Sequence, residues 1–182
     1  MIFTTTAANQ YGNYGGPAGS QLEYVDFNLV VLGGPTASSV NQLLGVWLLS
    51  GYGQSLSAYA AANGYTVASG EPYTTVQNAY GINLDVGLVW DPNLAELEIP
   101  GVTTSPGYLN FFMWEGTASS YAEAFDAGDA RGTTGVFAQA CTMGILPPST
   151  ITDMPDVLLD VPEPATFALG LAGLSLLLFR RR

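Results

Sequence analysis

Ile82-Asn83-Leu84-Asp85-Val86-Gly87-Leu88-Val89-Trp90 places Ile82, Leu84, Val86, Leu88 and Trp90 on one face if extended, with Asn83 and Asp85 on the other. That period of two is the signature of a half-buried strand. Working outward, Val25, Phe27, Leu29 and Val31 alternate in the same way with Asp26 and Asn28. Asp91-Pro92-Asn93 is turn chemistry, and after it Leu97 and Ile99 alternate with Glu96 and Glu98, as a hairpin partner would. Further strands are expected over residues 65–69, 108–114 and 135–143. Val40, Leu43, Leu44, Trp47 and Leu48 fit helical spacing, yet Gly45 and the compact apolar run 43–49 suit a central strand, which is the reading adopted. Ser120 with Glu123 three residues on has capping-box spacing, so one or two helical turns are expected over 121–127, ended by Gly128. Short strands separated by turns give a mainly β fold. The expectation is a single antiparallel β-sandwich over residues 25–161, after an irregular segment 1–24 and before a short C-terminal transmembrane helix.

Composition narrows the function. Charged residues are only 10% of the 182, against roughly 25% in ordinary soluble domains. There is no Lys, and three of the four basic residues are Arg180, Arg181 and Arg182, so Arg131 alone faces fifteen carboxylates in the rest of the chain. A surface so anionic lacks the Lys and Arg clusters that phosphate backbones require, which excludes nucleic acid as a partner. His is absent, removing the commonest general base and transition-metal ligand together, and the expectation is a protein that is not an enzyme. The single Cys141 cannot form an intrachain disulfide.

Residues 165–179 are uncharged, with six Leu and two Phe, and three arginines follow at once. As a helix this span is about 22 Å long at 1.5 Å per residue, short of the roughly 30 Å hydrocarbon core. Its eight Leu and Phe supply about −2 to −5 kcal/mol of insertion energy before the Gly and Ser terms are subtracted. This is a marginal anchor, with snorkelling arginines on the cytoplasmic side and the body across the membrane. Pro162-Glu163-Pro164 stands just before the span, where the prolines hold the chain extended around Glu163.

Pro-Glu-Pro, a short Leu/Ala/Gly-rich span and a terminal arginine cluster, in that order over residues 162–182, resemble the PEP-CTERM sorting signal. The resemblance implies that Pro162, Glu163 and Pro164 form the sorting motif, with 165–179 the transmembrane helix and Arg180, Arg181 and Arg182 the stop and orientation signal. It implies processing by an exosortase, a membrane protease or transpeptidase of Gram-negative bacteria, often ones that make extracellular polysaccharide. The chain would be held in the inner membrane during export and then reach the cell surface or extracellular matrix. Residues 1–19 show neither a basic n-region nor an apolar stretch, so a start upstream of Met1 is expected to supply the signal peptide. A looser resemblance, carried by Ile99-Pro100-Gly101-Val102, Met113-Trp114-Glu115, Ser120-Tyr121-Ala122-Glu123-Ala124 and Gly132-Thr133-Thr134-Gly135-Val136-Phe137, is to small verrucomicrobial PEP-CTERM ectodomains. Those are small proteins of uncharacterised function, so the resemblance implies a β-sandwich and speaks to the fold more than to any activity.

Glu123, Asp126 and Asp129 lie near one Gly-bearing loop, and hard carboxylates on loops suit Ca²⁺. Ala127 and Arg131 stand where a calcium loop needs ligands, so the alternative is a solvated acidic loop with Arg131 as counter-charge. Cys141 reads as a packed small hydrophobe, and Glu96, Glu98 and Glu115 as solvated carboxylates rather than a glycosidase pair. Trp47, Trp90 and Trp114 are expected in the core, although Tyr and Trp could instead form a platform for sugars. The leading expectation is therefore a non-enzymatic exported protein without a cofactor, and the alternative is a carbohydrate-binding or Ca-dependent adhesin module on the same sandwich.

Overall fold

The computed structural model describes residues 27–69, 73–79, 98–141, 155 and 157, together with the backbone of three strands at 2–4, 83–85 and 88–90. The fold is mainly β, and its centre is a strand with no solvent face. β1 (Ile2–Thr4) precedes that strand, β2 (Asn28–Gly34), which is buried at every position. A 3-10 turn at Ala37–Ser39 leads into β3 (Gln42–Leu48), and α1 (Leu56–Asn63) follows. Then come β4 (Thr66–Val67), β5 (Gln77–Asn78), β6 (Asn83–Asp85), β7 (Leu88–Trp90) and β8 (Gly107–Trp114). α2 (Tyr121–Ala127), β9 (Arg131–Thr133) and β10 (Phe137–Gln139) complete the described elements.

Seven of these strands form one sheet in the order β10-β8-β2-β3-β4, with β9 sharing the outer edge of β8 and β5 that of β3. β2 runs antiparallel to both neighbours, with Leu29 opposite Trp47 on one side and Met113 on the other. Residues directly opposite share a face. Leu29, Val31, Phe111, Met113 and Trp47 therefore build one packed layer, and Val30, Val46 and Phe112 belong to the other. Each fully buried Leu, Val or Phe of these strands contributes about 1.5–3 kcal/mol. Val46 is 0% exposed although β3 carries a glycine one residue earlier. A Cβ on Gly45 would stand 2.5 Å from Trp47 Cη2, so the bare backbone there is what lets the indole lie back along its own strand. β8 alternates buried with half-buried positions, as its place nearer the sheet edge requires.

The strands at 42–48 and 107–114 agree with the expected 43–49 and 108–114. The α2 helix has the expected limits, with Ser120 at its N-cap and Gly128 beyond its end in the left-handed region at φ 78°. The expected all-antiparallel pairing is corrected to a mixed sheet, because β4 and β5 both run parallel to β3. The cause is α1, which the sequence reading did not anticipate: a helix between β3 and β4 makes a crossover, and a crossover returns the chain parallel. Its signals were present as Ser55, which accepts the Ala58 N–H at 3.5 Å, an Ala-rich run, and Gly64 in the left-handed region at φ 73°.

Residues 82–90, expected as one strand, are corrected to a hairpin. β6 and β7 pair antiparallel with Asp85 opposite Leu88 and Asn83 opposite Trp90, so the alternation belongs to two strands rather than one. β7 pairs on its other side with β1, in the segment expected to be irregular. Ile99, expected in a partner strand, lies outside any strand, and its side chain instead packs over Gly33 and Gly107. The strands expected over 65–69 and 135–143 are shorter, Thr66–Val67 and Phe137–Gln139.

Candidate functional site

The acidic corner is built by α2 and the start of β9. Ser120 Oγ accepts the Glu123 N–H at 3.1 Å, the first half of a capping box. The reciprocal arm is displaced by one residue: Glu123 Oε2 accepts from Ser119 Oγ at 2.6 Å and from Ser119 N–H at 2.8 Å. Those two donors, the hydroxyl first and the amide second, hold the Glu123 carboxyl below the usual carboxylate range. The Asp129 carboxylate lies against Gly116, whose hypothetical Cβ would be 2.8 Å from Oδ2. The Arg131 guanidinium sits over the Phe125 ring, 4.0 Å from its centroid, and Nη1 donates to the Asp129 carbonyl at 3.3 Å. Glu123 and Arg131 thus each have a protein partner that explains their position. Among the described residues no three His, Cys, Asp or Glu side chains are grouped so as to hold a metal ion, and Glu123, Asp126 and Asp129 are not brought together into one.

Of the other singled-out residues, Trp47 keeps a buried Nε1–H without a hydrogen-bond partner among the described residues. Cys141 is a free, half-buried thiol beyond the end of β10. Its N–H donates to Ser105 Oγ at 3.1 Å and its Sγ to the Gln139 carbonyl at 3.4 Å, and the sulfur packs over Gly107 beside Ile99 and Val102. Glu98 is exposed and Glu115 half-buried, while Glu96 lies outside the described residues. Trp47 and Trp114 are in the core as expected, and the Trp90 side chain lies outside the described residues. Trp114 Nε1–H donates to the Ala118 carbonyl at 2.9 Å, and Trp47 meets Tyr73 edge to face at 5.3 Å. Tyr59 and Tyr65 are pushed up from the ordinary phenol value by burial first, which suits packing rather than proton transfer. Among the described residues the exposed large apolar side chains are Tyr52, Phe125 and Val136, and the Phe125 ring is already covered on one face by Arg131.

The tail from Pro162 to Arg182, with Glu163, Pro164, Arg180 and Arg181, lies outside the described residues. The last described residue is Val157. Val157 is 1% exposed and belongs to the hydrophobic core, five positions before Pro162. The sequence reading did not single it out. Residues 160–182 match the family model of the PEP-CTERM protein-sorting motif. The chain carries a PEP-CTERM sorting signal. That signal means export to the cell envelope or surface and processing by an exosortase, a membrane enzyme. The PEP-CTERM match takes in Pro162-Glu163-Pro164, the apolar span and the arginine cluster, and it covers none of the described residues. No curated protein and no solved structure matches the chain. Among the described residues no helix is long and apolar enough to cross a membrane, and the expected span 165–179 is outside them.

Proposed function

We propose that this is a non-enzymatic surface or extracellular-matrix protein, in which the PEP-CTERM tail is a removable address and the β-rich body is the delivered cargo. The match at residues 160–182 carries the reading. The energetics of the tail support it, because a fifteen-residue span worth only about −2 to −5 kcal/mol suits transient retention in the inner membrane better than permanent anchoring. The body supports the non-enzymatic half, since Glu123 is held by Ser119, Arg131 covers Phe125, Cys141 packs over Gly107, and no His is available as a base. The likeness of the body to verrucomicrobial ectodomains and its closure into a sandwich belong to this proposal. The adhesin alternative has no observation of its own among the described residues. Mass spectrometry of the mature protein from an exosortase-bearing host tests the proposal. A C-terminus at or near Pro162-Glu163-Pro164 is expected, and an intact Arg182 on surface-delivered protein refutes it. Deleting residues 162–182 should change retention and processing, and unchanged fractionation would refute the sorting role.

A further inference from the structure

Arg131 is the one cation before Arg180 in a chain with fifteen carboxylates, yet among the described residues it makes no ion pair. Its guanidinium lies 4.0 Å from the centroid of the Phe125 ring, and one of its nitrogens donates to the Asp129 carbonyl at 3.3 Å. An arginine carries five N–H donors in a planar fork that can hold a carboxylate by two parallel bonds. Most of that fork is uncommitted. Phe125 is 61% exposed, and α2 presents Ala122, Phe125 and Asp126 to solvent, at positions three and four apart that share a helix face. Glu123 is held by Ser119, whereas Asp126 has no hydrogen bond or ion pair among the described residues. An exposed ring, a cation with free donors and a free carboxylate thus lie together at one corner, and together they are complementary to themselves.

We infer that α2 and Arg131 form a docking face for a second copy of this chain, with Phe125 at its centre and Arg131 of each copy paired to Asp126 of the other. The inference goes beyond the sorting reading and does not rest on it, since it concerns the body alone. In a two-fold contact residue i meets j and j meets i, so one cation and one carboxylate per chain give two ion pairs around a Phe125–Phe125 contact. An acidic partner of another kind would gain one such pair against the same anionic surface, and a basic partner would be repelled at Arg131. Arginine and aromatic side chains are the ones enriched at the energetic centres of interfaces. The mutual repulsion of two anionic bodies is screened over about 8 Å at physiological ionic strength, so the pairs at the contact decide the sign.

The test is sedimentation equilibrium of the full chain in a density-matched non-ionic detergent, for the parent, Arg131→Asp, Asp126→Arg and an equimolar mixture of the two variants. Association through the apolar tail would be common to all four samples and cancels in the comparison. The parent is expected to dimerise reversibly below about 1 mM, the weak end of specific affinities. Each variant alone sets like charges against each other twice and should dimerise at least about tenfold more weakly. In the mixture the two substituted positions face each other with opposite sign, so association should return to within about threefold of the parent. A parent that stays monomeric over this range overturns the inference without recourse to any variant. So do variants that associate as the parent does, and a mixture that associates no better than its components.

Discussion

Asn28 Oδ1 accepts the backbone N–H of Leu49 at 2.8 Å, which ties the first residue of β2 to the residue that follows β3. Its Nδ2 donates on the other side to the Trp114 carbonyl at 3.2 Å and the Gly116 carbonyl at 3.0 Å. One carboxamide, itself 0% exposed, thus closes the ends of three adjacent strands. Asn28→Ala removes three partners at once from a buried site, where an unsatisfied group costs about 1–3 kcal/mol. The expected loss of stability is about 2–4 kcal/mol in equilibrium urea unfolding with unchanged slope. A loss below about 0.5 kcal/mol, the size of an ordinary surface substitution, would show that the network contributes nothing net.

Glu123 gives a pH-dependent prediction. Its folded-state value is held low by Ser119, so its contribution is present above the unfolded value of about 4.3 and is lost as pH falls through the lower folded value. Below that range the carboxyl is protonated and the charge-assisted bonds to Ser119 Oγ and N–H weaken, loosening the first turn of α2. Ser119→Ala removes the larger of the two causes and should move the Glu123 midpoint upward in a carbon-detected NMR carboxyl titration. Superimposable titration curves for parent and variant would mean that the hydroxyl does not set the value.

The elements that were legible in the sequence are those whose signals are local. The α2 helix is bounded by a side chain that caps it, Ser120, and by a glycine that can take positive φ, Gly128, and both devices act within four residues. β8 was legible because its alternation survives near a sheet edge, where one face is only half covered. Asn28 misled for the opposite reason. A polar residue in an alternating run reads as a solvent-facing position, but β2 is covered on both faces and the carboxamide is buried because its bonds are made across the sheet. The hairpin at 83–90 misled because alternation by itself is blind to a reversal between Asp85 and Leu88 that exchanges the two faces. The sorting motif was fully legible, since it consists of residue types and their order and needs no tertiary context. Val157 was not, because whether an apolar residue after a proline joins the core depends on packing that no spacing encodes.

Calcium offers a direct check on the acidic corner. Extracellular modules bind Ca²⁺ at about 10⁻⁴–10⁻³ M through several converging oxygens. Here Glu123 is held by Ser119 and Asp129 lies against Gly116, so their carboxylates do not converge. Addition of 5–10 mM Ca²⁺, about five to ten times the upper end of that range, is expected to leave the melting temperature where Mg²⁺ leaves it. A Ca²⁺-specific rise that is abolished by Asp129→Asn would restore the cation site and with it the adhesin reading.

Gly116 and Gly128 have nearly the same backbone, φ 79° and 78°, and different surroundings. An alanine at either position pays the left-handed penalty of about 1–2 kcal/mol. At Gly128 nothing lies within 4 Å of the new Cβ, so that penalty is the whole expected cost. At Gly116 the Cβ would also meet the Asp129 carboxylate at 2.8 Å, beside the carbonyl that Asn28 uses. The carboxylate must give way, and overpacking of this kind costs about 1 kcal/mol or more. Gly116→Ala should therefore destabilise more than Gly128→Ala by at least about 1 kcal/mol in parallel urea unfolding. The excess should largely disappear when Asp129→Ala is combined with Gly116→Ala, because the double variant removes the obstructing carboxylate and keeps the backbone penalty. If the two single variants unfold at the same urea concentration, the Asp129 contact does not constrain the turn, and backbone conformation alone explains both glycines.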